Sequence, residues 1–278
     1  MERNRQSSPV MRVALGGFGG VGRKLAAELH RGAIPGAVLT AVSAHDLPRA
    51  RSYCDENELP IAVVQSSELA DHADVVVECA TFEAFRMVVE PALAAGKHVI
   101  AISVGALADN LDLIDLAHDC GGKLQIANGA LPGLDIIRCA AEGNIESVVL
   151  TSYMRPDSMA REPYVIERGL ELNEELSEAV HIFSGTARVA AATFPRHFNV
   201  GVSLSLAGIG LDRTQIEIYV APGLPGSRHT VTVESDLINL ELTAQHFPSV
   251  ENNRTSRIVA PSILAALRSL RSPLRVGA

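Results

Sequence analysis

Tryptophan is absent from these 278 residues, and seven Phe with four Tyr make the chain only 4% aromatic. A core must therefore be packed from Ala, Val, Leu and Ile, and the 47% hydrophobic content is ample for one. That composition is common in parallel sheets covered by helices, whose strands read as continuous aliphatic runs. Lysine is nearly missing too. Lys24, Lys97 and Lys123 are the only three, so arginine carries almost all the positive charge and a lysine-based mechanism has few candidates. The four cysteines, Cys54, Cys79, Cys120 and Cys139, form no CxxC pair and no Cys/His set with zinc spacing, which argues against a metal site. They read as reduced, mostly buried thiols. No run approaches the roughly 20 apolar residues that span a bilayer. The leader Met1 to Pro9 is polar and lacks the apolar stretch of a signal peptide. The expectation is a soluble, cytoplasmic protein with no membrane partner.

The formal charge is −8 and the pI near 5.6, which argues against a nucleic-acid partner, since that would require a basic face. An anionic small molecule would need a local basic pocket. High hydrophobicity excludes disorder, and 22 glycines without a period of three exclude a collagen-like fibre. At roughly 100–200 residues per domain, the length suits one large domain or two ordinary ones.

Met11-Arg12-Val13-Ala14-Leu15 is a compact apolar run ending at Gly16 and Gly17, and residues 21 to 31 follow with helical spacing. The rhythm repeats: Ala37–Val42, a helix around 47 to 57, Ile61–Val64, Asp74–Cys79, a helix over 83 to 95, and Lys97–Ile102. Strands alternating with helices imply a Rossmann-type, doubly wound parallel sheet. From about Glu146 the runs alternate polar and apolar residues, as in Gln215–Val220 and Thr230–Glu234, the pattern of an antiparallel sheet with one wet face. Helices are expected over 186 to 193, 198 to 208 and Ile258 to Leu270. The expected organisation is a dinucleotide-binding domain over 1–135, an α+β substrate domain over 136–249, and a C-terminal helix within 250–278 returning to the first domain. Alternating strands with an exposed face suit a homodimer interface.

Gly17-Phe18-Gly19-Gly20-Val21-Gly22 is a G-x-G-x-x-G placed between a strand and a helix. The first glycine permits a tight turn, the second lets backbone approach a pyrophosphate, and the third allows close helix–strand packing. The helix start then offers free N–H groups to the phosphates. Ala80, next after the Asp74–Cys79 run, joins the cofactor-facing candidates. An Asp or Glu expected at the end of the second strand, to hold a ribose 2′-hydroxyl, is missing at Ser43 or Ala44. Without it a 2′-phosphate is tolerated, with Ser43, His45, Arg49 or Arg51 available to contact it, and Asp46 is left to cap the next helix. The cofactor is therefore read as NAD or NADP, with a lean to NADP.

Three further stretches carry a resemblance: Ser103–Asp109, Asn128-Gly129-Ala130-Leu131-Pro132-Gly133-Leu134-Asp135, and Phe194-Pro195-Arg196-His197-Phe198-Asn199-Val200. With the phosphate loop, Leu206-Ala207-Gly208, Asp212-Arg213-Thr214, His229 and the Glu251–Ser256 run, they make nearly the whole chain resemble the L-aspartate dehydrogenases. The resemblance implies that Ala130 and Asn199 line the nicotinamide end and that His229 is the active-site histidine. It also marks two departures: Asn128 stands where a serine is usual, and the usual acid after the second strand is replaced near Ala44. The implied activity is oxidative deamination of L-aspartate through iminosuccinate to oxaloacetate and ammonia, or its reverse.

A histidine with a pKa near working pH can move protons both ways, and with lysine so scarce His229 is the best acid/base candidate. His197, two residues before Asn199, is either a substrate contact or a cap. A dicarboxylate needs cations, ideally the fork of arginine. Arg155, Arg196, Arg254 and Arg257 are the candidates, and Asn128, Arg155 and His197 are taken as the substrate-binding set. Asp212, Asp135 and Glu78 read as structural caps or pairs. The residues alone also leave open a dehydrogenase of another small amino or hydroxy acid, and a non-catalytic dinucleotide sensor.

Overall fold

The computed structural model describes residues 9–195, 197–249 and 255–277. The chain divides into two compact units. The first comprises residues up to Ala101 with Leu111–Ala127 and Ile263–Arg275; the second comprises Ile102–Asn110, Asn128–Ser262 and the last residues.

In the first unit six strands form one sheet: β1 (Met11–Gly16), β2 (Ala37–Ser43), β3 (Ala62–Val63), β4 (Val75–Glu78), β5 (His98–Ala101) and β6 (Lys123–Ile126). Their order is β3-β2-β1-β4-β5-β6, and every pairing is parallel. The order reverses between β1 and β4, the crevice where open α/β sheets bind ligands beyond the strand C-termini. The aliphatic runs Val13-Ala14-Leu15, Val75-Val76-Val77 and Val99-Ile100-Ala101 are buried, as expected of strands with helices on both faces. The helix Gly20–His30 turns Gly22, Leu25, Ala26 and Leu29 inward, and Phe85–Ala94 turns Phe85, Val88, Val89, Ala92 and Leu93 inward. The helix Val259–Arg271 ends in the first unit, where Arg271 Nη1 donates to Pro9 O at 2.9 Å.

The second unit holds five strands: β7 (Ile145–Met154), β8 (Val180–Thr186), β9 (Gln215–Val220), β10 (Arg228–Ser235) and β11 (Leu240–Gln245), in the order β11-β10-β7-β9-β8. Three pairings are antiparallel, but β7 and β9 run parallel, so the sheet is mixed. Alternation reports that one face is wet and says nothing of strand direction, which is why the sequence suggested an antiparallel sheet. The inward set includes Val148, Leu150, Ile216, Ile218, Val231 and Val233. The helices Ala187–Thr193 and Asn199–Ala207 stand where helical spacing predicts them.

One expectation from composition needs correction. Cys54 is buried, but Cys120 and Cys139 are exposed, so the thiols are not mostly buried. Aliphatic residues dominate both cores, yet four of the scarce rings gather in the second unit. Phe194 packs on Tyr164, Phe183 and Phe198 with ring centroids 5.1, 5.5 and 5.6 Å away. Among the described residues no helix is long and apolar enough to cross a membrane, and no His/Cys/Asp/Glu group could hold a metal ion.

Candidate active site

In the first unit the loop between β1 and the helix Gly20–His30 is built around its glycines. Gly17 has φ +107°, a left-handed conformation, and a Cβ there would lie 2.5 Å from Cys79 O and 2.6 Å from Ala80 N. Only glycine fits. A Cβ on Gly22 would collide with Gly17 O, so the third glycine closes the loop on itself. Gly19 and Gly20 differ, since a Cβ on either meets nothing within 4 Å. The loop therefore opens outward at the glycines whose backbone begins the helix. That helix has no side-chain cap and no acidic residue in its first turn, which leaves its first N–H groups and the positive end of its dipole for an anion. This cradle fits the pyrophosphate of a dinucleotide.

The neighbours of the loop are pinned from within the same unit. Gly17 N donates to Ser43 O at 3.0 Å, Cys79 Sγ donates to Gly17 O at 3.1 Å, and Ala80 N donates to a carboxylate oxygen of the buried Glu78 at 2.8 Å. Burial pushes the Cys79 thiol pKa far up, so it stays protonated as a donor. Phe18 turns into the core and meets Tyr53 edge-on at 5.4 Å, with the Arg23 guanidinium 4.3 Å from the Tyr53 ring. Val21 is the second residue of the helix and is half-buried. At the end of β2 the Ser43 hydroxyl is buried and lies 3.1 Å from Ser66 Oγ, whereas His45 is exposed. Asp46 accepts from Arg49 N at 2.9 Å and caps Leu47–Glu56, as its position suggested.

In the second unit His229 sits on the inner face of β10, opposite Ser152 of β7. Both are buried, and Ser152 Oγ lies 2.9 Å from His229 Nδ1. The ring of His246, just past β11, is 5.2 Å from that of His229. Burial, reinforced by His246, holds the His229 pKa down to about 3, and burial lowers that of His246 as well. The ligand-free ring is therefore neutral at physiological pH, unlike the half-charged histidine expected from sequence. His246 Nδ1 is 3.4 Å from Ser256 Oγ, and its Nε2 is buried without a hydrogen-bond partner among the described residues.

A cavity of about 340 Å³ lies in this unit, lined among others by Arg155, Arg161, His197, Ser227, His246 and Ser256. Arg155 follows the last residue of β7 and precedes the short helix Pro156–Met159, and its Nη2 pairs with Asp157 at 2.5 Å. His197 is largely buried, with Nε2 2.9 Å from Glu162 Oε1, so its partner is a carboxylate and not the helix start. Of the other arginine candidates, Arg257 Nε donates to Pro248 O at 2.8 Å, while Arg196 and Arg254 lie outside the described residues, as do Glu251 to Asn253.

Asn199 opens the helix Asn199–Ala207, and its Oδ1 accepts from Gly105 N at 2.7 Å. A Cβ on Gly105 would come within 2.9 Å of that oxygen, so the glycine is what allows the bond. With Oδ1 committed, the amide is oriented and Nδ2 is the atom that can donate to a ligand. Asn128 is exposed and Ala130 half-buried in a turn closed by Leu131 N to Asn128 O at 3.0 Å, with Gly129 at φ +56°. The loop glycines thus assemble in one unit, and His229, Asn199, Ala130, Arg155 and His197 in the other. Ser152 and His246 went unnoticed in the sequence. Nothing local marks them, because their link to His229 depends on strand register across 77 residues for Ser152 and on the β10–β11 pairing for His246.

Residues 135–270 match a family described as aspartate dehydrogenase, C-terminal, and residues 17–127 match the NAD binding domain of homoserine dehydrogenase. The chain is 43% identical over 265 residues to L-aspartate dehydrogenase 3 of Bordetella bronchiseptica, covering 95% of this chain and 97% of that protein. It is 38% identical over 274 residues to L-aspartate dehydrogenase of Bradyrhizobium diazoefficiens, covering 99% and 96%. Among solved structures, aspartate dehydrogenase from Thermotoga maritima shares the fold with a TM-score of 0.71 at 22% identity, covering 96% of this chain and 99% of that one. By its full-length identity to these relatives, the chain belongs to the L-aspartate dehydrogenase family.

Proposed function

We infer that this protein is an NAD(P)-dependent L-aspartate dehydrogenase, converting L-aspartate, water and oxidised cofactor to oxaloacetate, ammonium, reduced cofactor and a proton through iminosuccinate. The observation that carries the reading is a buried, neutral His229 beside an arginine- and histidine-lined cavity, in a chain that belongs to this family. The bound nicotinamide supplies the hydride acceptor for the substrate Cα–H. The protein's own tasks are orientation, proton movement and charge complementarity.

Gly17 to Gly22 receive the pyrophosphate, with Phe18 packed behind the loop, Val21 in the first helical turn and Ala80 behind Gly17. Ser43 and His45 border the adenosine ribose. The missing acid after β2, together with exposed His45 and Arg49, removes a repulsion against a 2′-phosphate, so NADP is accepted and favoured over NAD. Ala130 and the Asn199 amide border the nicotinamide end. Arg155, His197 and Asn128 contact the substrate, with arginine on a carboxylate. The carboxylates of the substrate, next to His229, raise the depressed ring pKa toward working range, because a nearby opposite charge favours the imidazolium. The neutral ring takes a proton from the water that attacks the imine carbon, and the imidazolium returns it to the departing amine. Residues 1–135 serve the cofactor and 136–249 the substrate, in a cytoplasmic homodimer.

A two-by-two assay of NAD and NADP with L- and D-aspartate, read at the nicotinamide absorbance band, tests this. Turnover with L-aspartate alone, faster with NADP, is the expected result. Folded protein that turns over L-aspartate with neither cofactor would overturn the reading.

A further inference from the structure

The hydrogen bond that fixes His229 is unusual for an acid/base histidine in one respect: the partner is a hydroxyl, not a carboxylate. Ser152 Oγ lies 2.9 Å from Nδ1, both side chains are buried, and their residues face each other in the β7–β10 register. Among the described residues, no carboxylate bears on the ring; the influences on it are burial and His246. The charged groups of the flanking strand positions point elsewhere. Arg228 lies over the Tyr153 ring at 4.4 Å on the opposite face of the sheet, and Glu234 takes a hydrogen bond from Ser147 near the far end of the strands.

A carboxylate at Nδ1 accepts only, so it holds the ring as the Nδ1–H tautomer and stabilises the imidazolium. A serine hydroxyl both donates and accepts. It can donate to Nδ1 when Nε2 carries the proton, and accept from Nδ1–H when Nε2 offers its lone pair. Deamination needs the second state throughout: the base carries Nδ1–H with the Nε2 lone pair free, and the imidazolium that follows keeps its Nδ1–H, so the hydroxyl accepts in both steps. A proton leaves the attacking water for Nε2 as the C–O bond forms and passes from Nε2 to the amine nitrogen as the C–N bond breaks, while the remaining hydroxyl proton goes to solvent as the carbonyl forms. No net proton accumulates on the ring.

We propose that Ser152 is a positioning residue that accepts from His229 Nδ1–H and so holds the ring with Nε2 free to take a proton and return it, without placing a charge beside the ring. The inference rests on the reading of His229 as the acid/base group. Between strands of one sheet the ring position is set by register, which pairs His229 with Ser152.

The test uses the full chain with ¹⁵N-labelled histidine, and compares Ser152→Ala, Ser152→Thr and Ser152→Asp with Ser205→Ala, whose buried hydroxyl bonds to Gly201 O and serves as a packing control. Cofactor binding and thermal melting certify that each variant is folded. At neutral pH the wild-type His229 ring nitrogens, assigned by their disappearance in His229→Asn, should report a neutral ring protonated at Nδ1. Ser152→Asp should report a ring that charges at higher pH than in wild type, because a carboxylate favours the imidazolium. Ser152→Ala should lose about tenfold or more in kcat with KM for L-aspartate within about twofold, as removal of a group that orients a general acid/base predicts. Ser152→Thr should recover most of that loss, and Ser205→Ala should lose nothing. The proposal is overturned if the neutral wild-type ring carries its proton on Nε2, if folded Ser152→Ala turns over like wild type, or if Ser152→Thr is no better than Ser152→Ala. Full activity in His229→Asn would instead sink the acid/base reading itself, and the tautomer spectra would then decide alone whether Ser152 sets the ring state.

Discussion

The glycines of the phosphate loop are separable by what surrounds each one. Gly17 is held at φ +107° against the backbone of Cys79 and Ala80, so Gly17→Ala strains the chain before any ligand arrives. A loss of about 1–3 kcal/mol in stability is expected, measured by denaturant unfolding without cofactor. Gly19 has φ −82° and open space where a Cβ would project. Gly19→Ala should leave unfolding of the cofactor-free protein within about 0.5 kcal/mol and still weaken cofactor binding about tenfold or more, by titration calorimetry. Equal damage to stability by both substitutions would show that the outer face of the loop is not a ligand face. His229→Asn is the companion at the proposed acid/base position. It should bind cofactor as the parent does and lose about 10²–10⁴-fold in kcat.

At the scale of elements, the aromatic cluster explains how the Phe194–Asn199 segment is placed. Phe194 is fully buried among Tyr164, Phe183 and Phe198, and Phe198 directly precedes the helix that Asn199 begins. Phe194→Ala removes the central ring and should cost about 3–5 kcal/mol. Because Asn199 Oδ1 is tied to Gly105 N, the same change should also raise KM for the cofactor, a readout that separates this site from a remote core position. An equally costly substitution at the buried Leu113 of the first unit should leave the cofactor KM of the surviving folded fraction nearly unchanged. Five strands of the first unit were legible because continuous aliphatic runs, helical spacing and one glycine loop all report local structure; Lys123–Ile126, a short edge strand with Lys and Gln among its four residues and none of them buried, was not. The parallel β7–β9 pairing was hidden, since alternation looks the same in either direction. Partners of the candidate site were legible only where a motif marks them: Asn199 and His229 stood out by resemblance, while Ser152 in Leu150-Thr151-Ser152-Tyr153 looks like any inward strand residue. The partnership of His197 with Glu162 across 35 residues was likewise invisible.

For the whole molecule, the buried histidines set how stability depends on pH. His229 titrates at about 3 when folded, and the pKa values of His246 and His98 are also lowered, in each case chiefly by burial. Unfolded, each would titrate near 6.5. Between those limits the unfolded chain binds more protons than the folded one, so stability rises with pH and is fully restored above about 6.5. Asp74, Asp112 and Asp212, held below the usual carboxylate range by hydrogen bonds from Arg12, Arg86 and Arg188, act in the same direction. Their pairs are solvent-exposed and weak, and their window opens only as pH falls through about 4. Stability lost between about pH 6.5 and 4.5 therefore belongs to the histidines. Three of the four tyrosines, Tyr153, Tyr164 and Tyr219, belong to the second unit, and no tryptophan obscures them, so near-ultraviolet circular dichroism follows that unit directly. Urea midpoints read this way should fall steadily from pH 6.5 to 4.5 in the parent and markedly less in His229→Asn, which has no proton to take up at that position. A midpoint flat over this range in the parent, or equally steep in the variant, would mean that His229 is not held neutral by the fold and that the neutral-base step it supports is wrong.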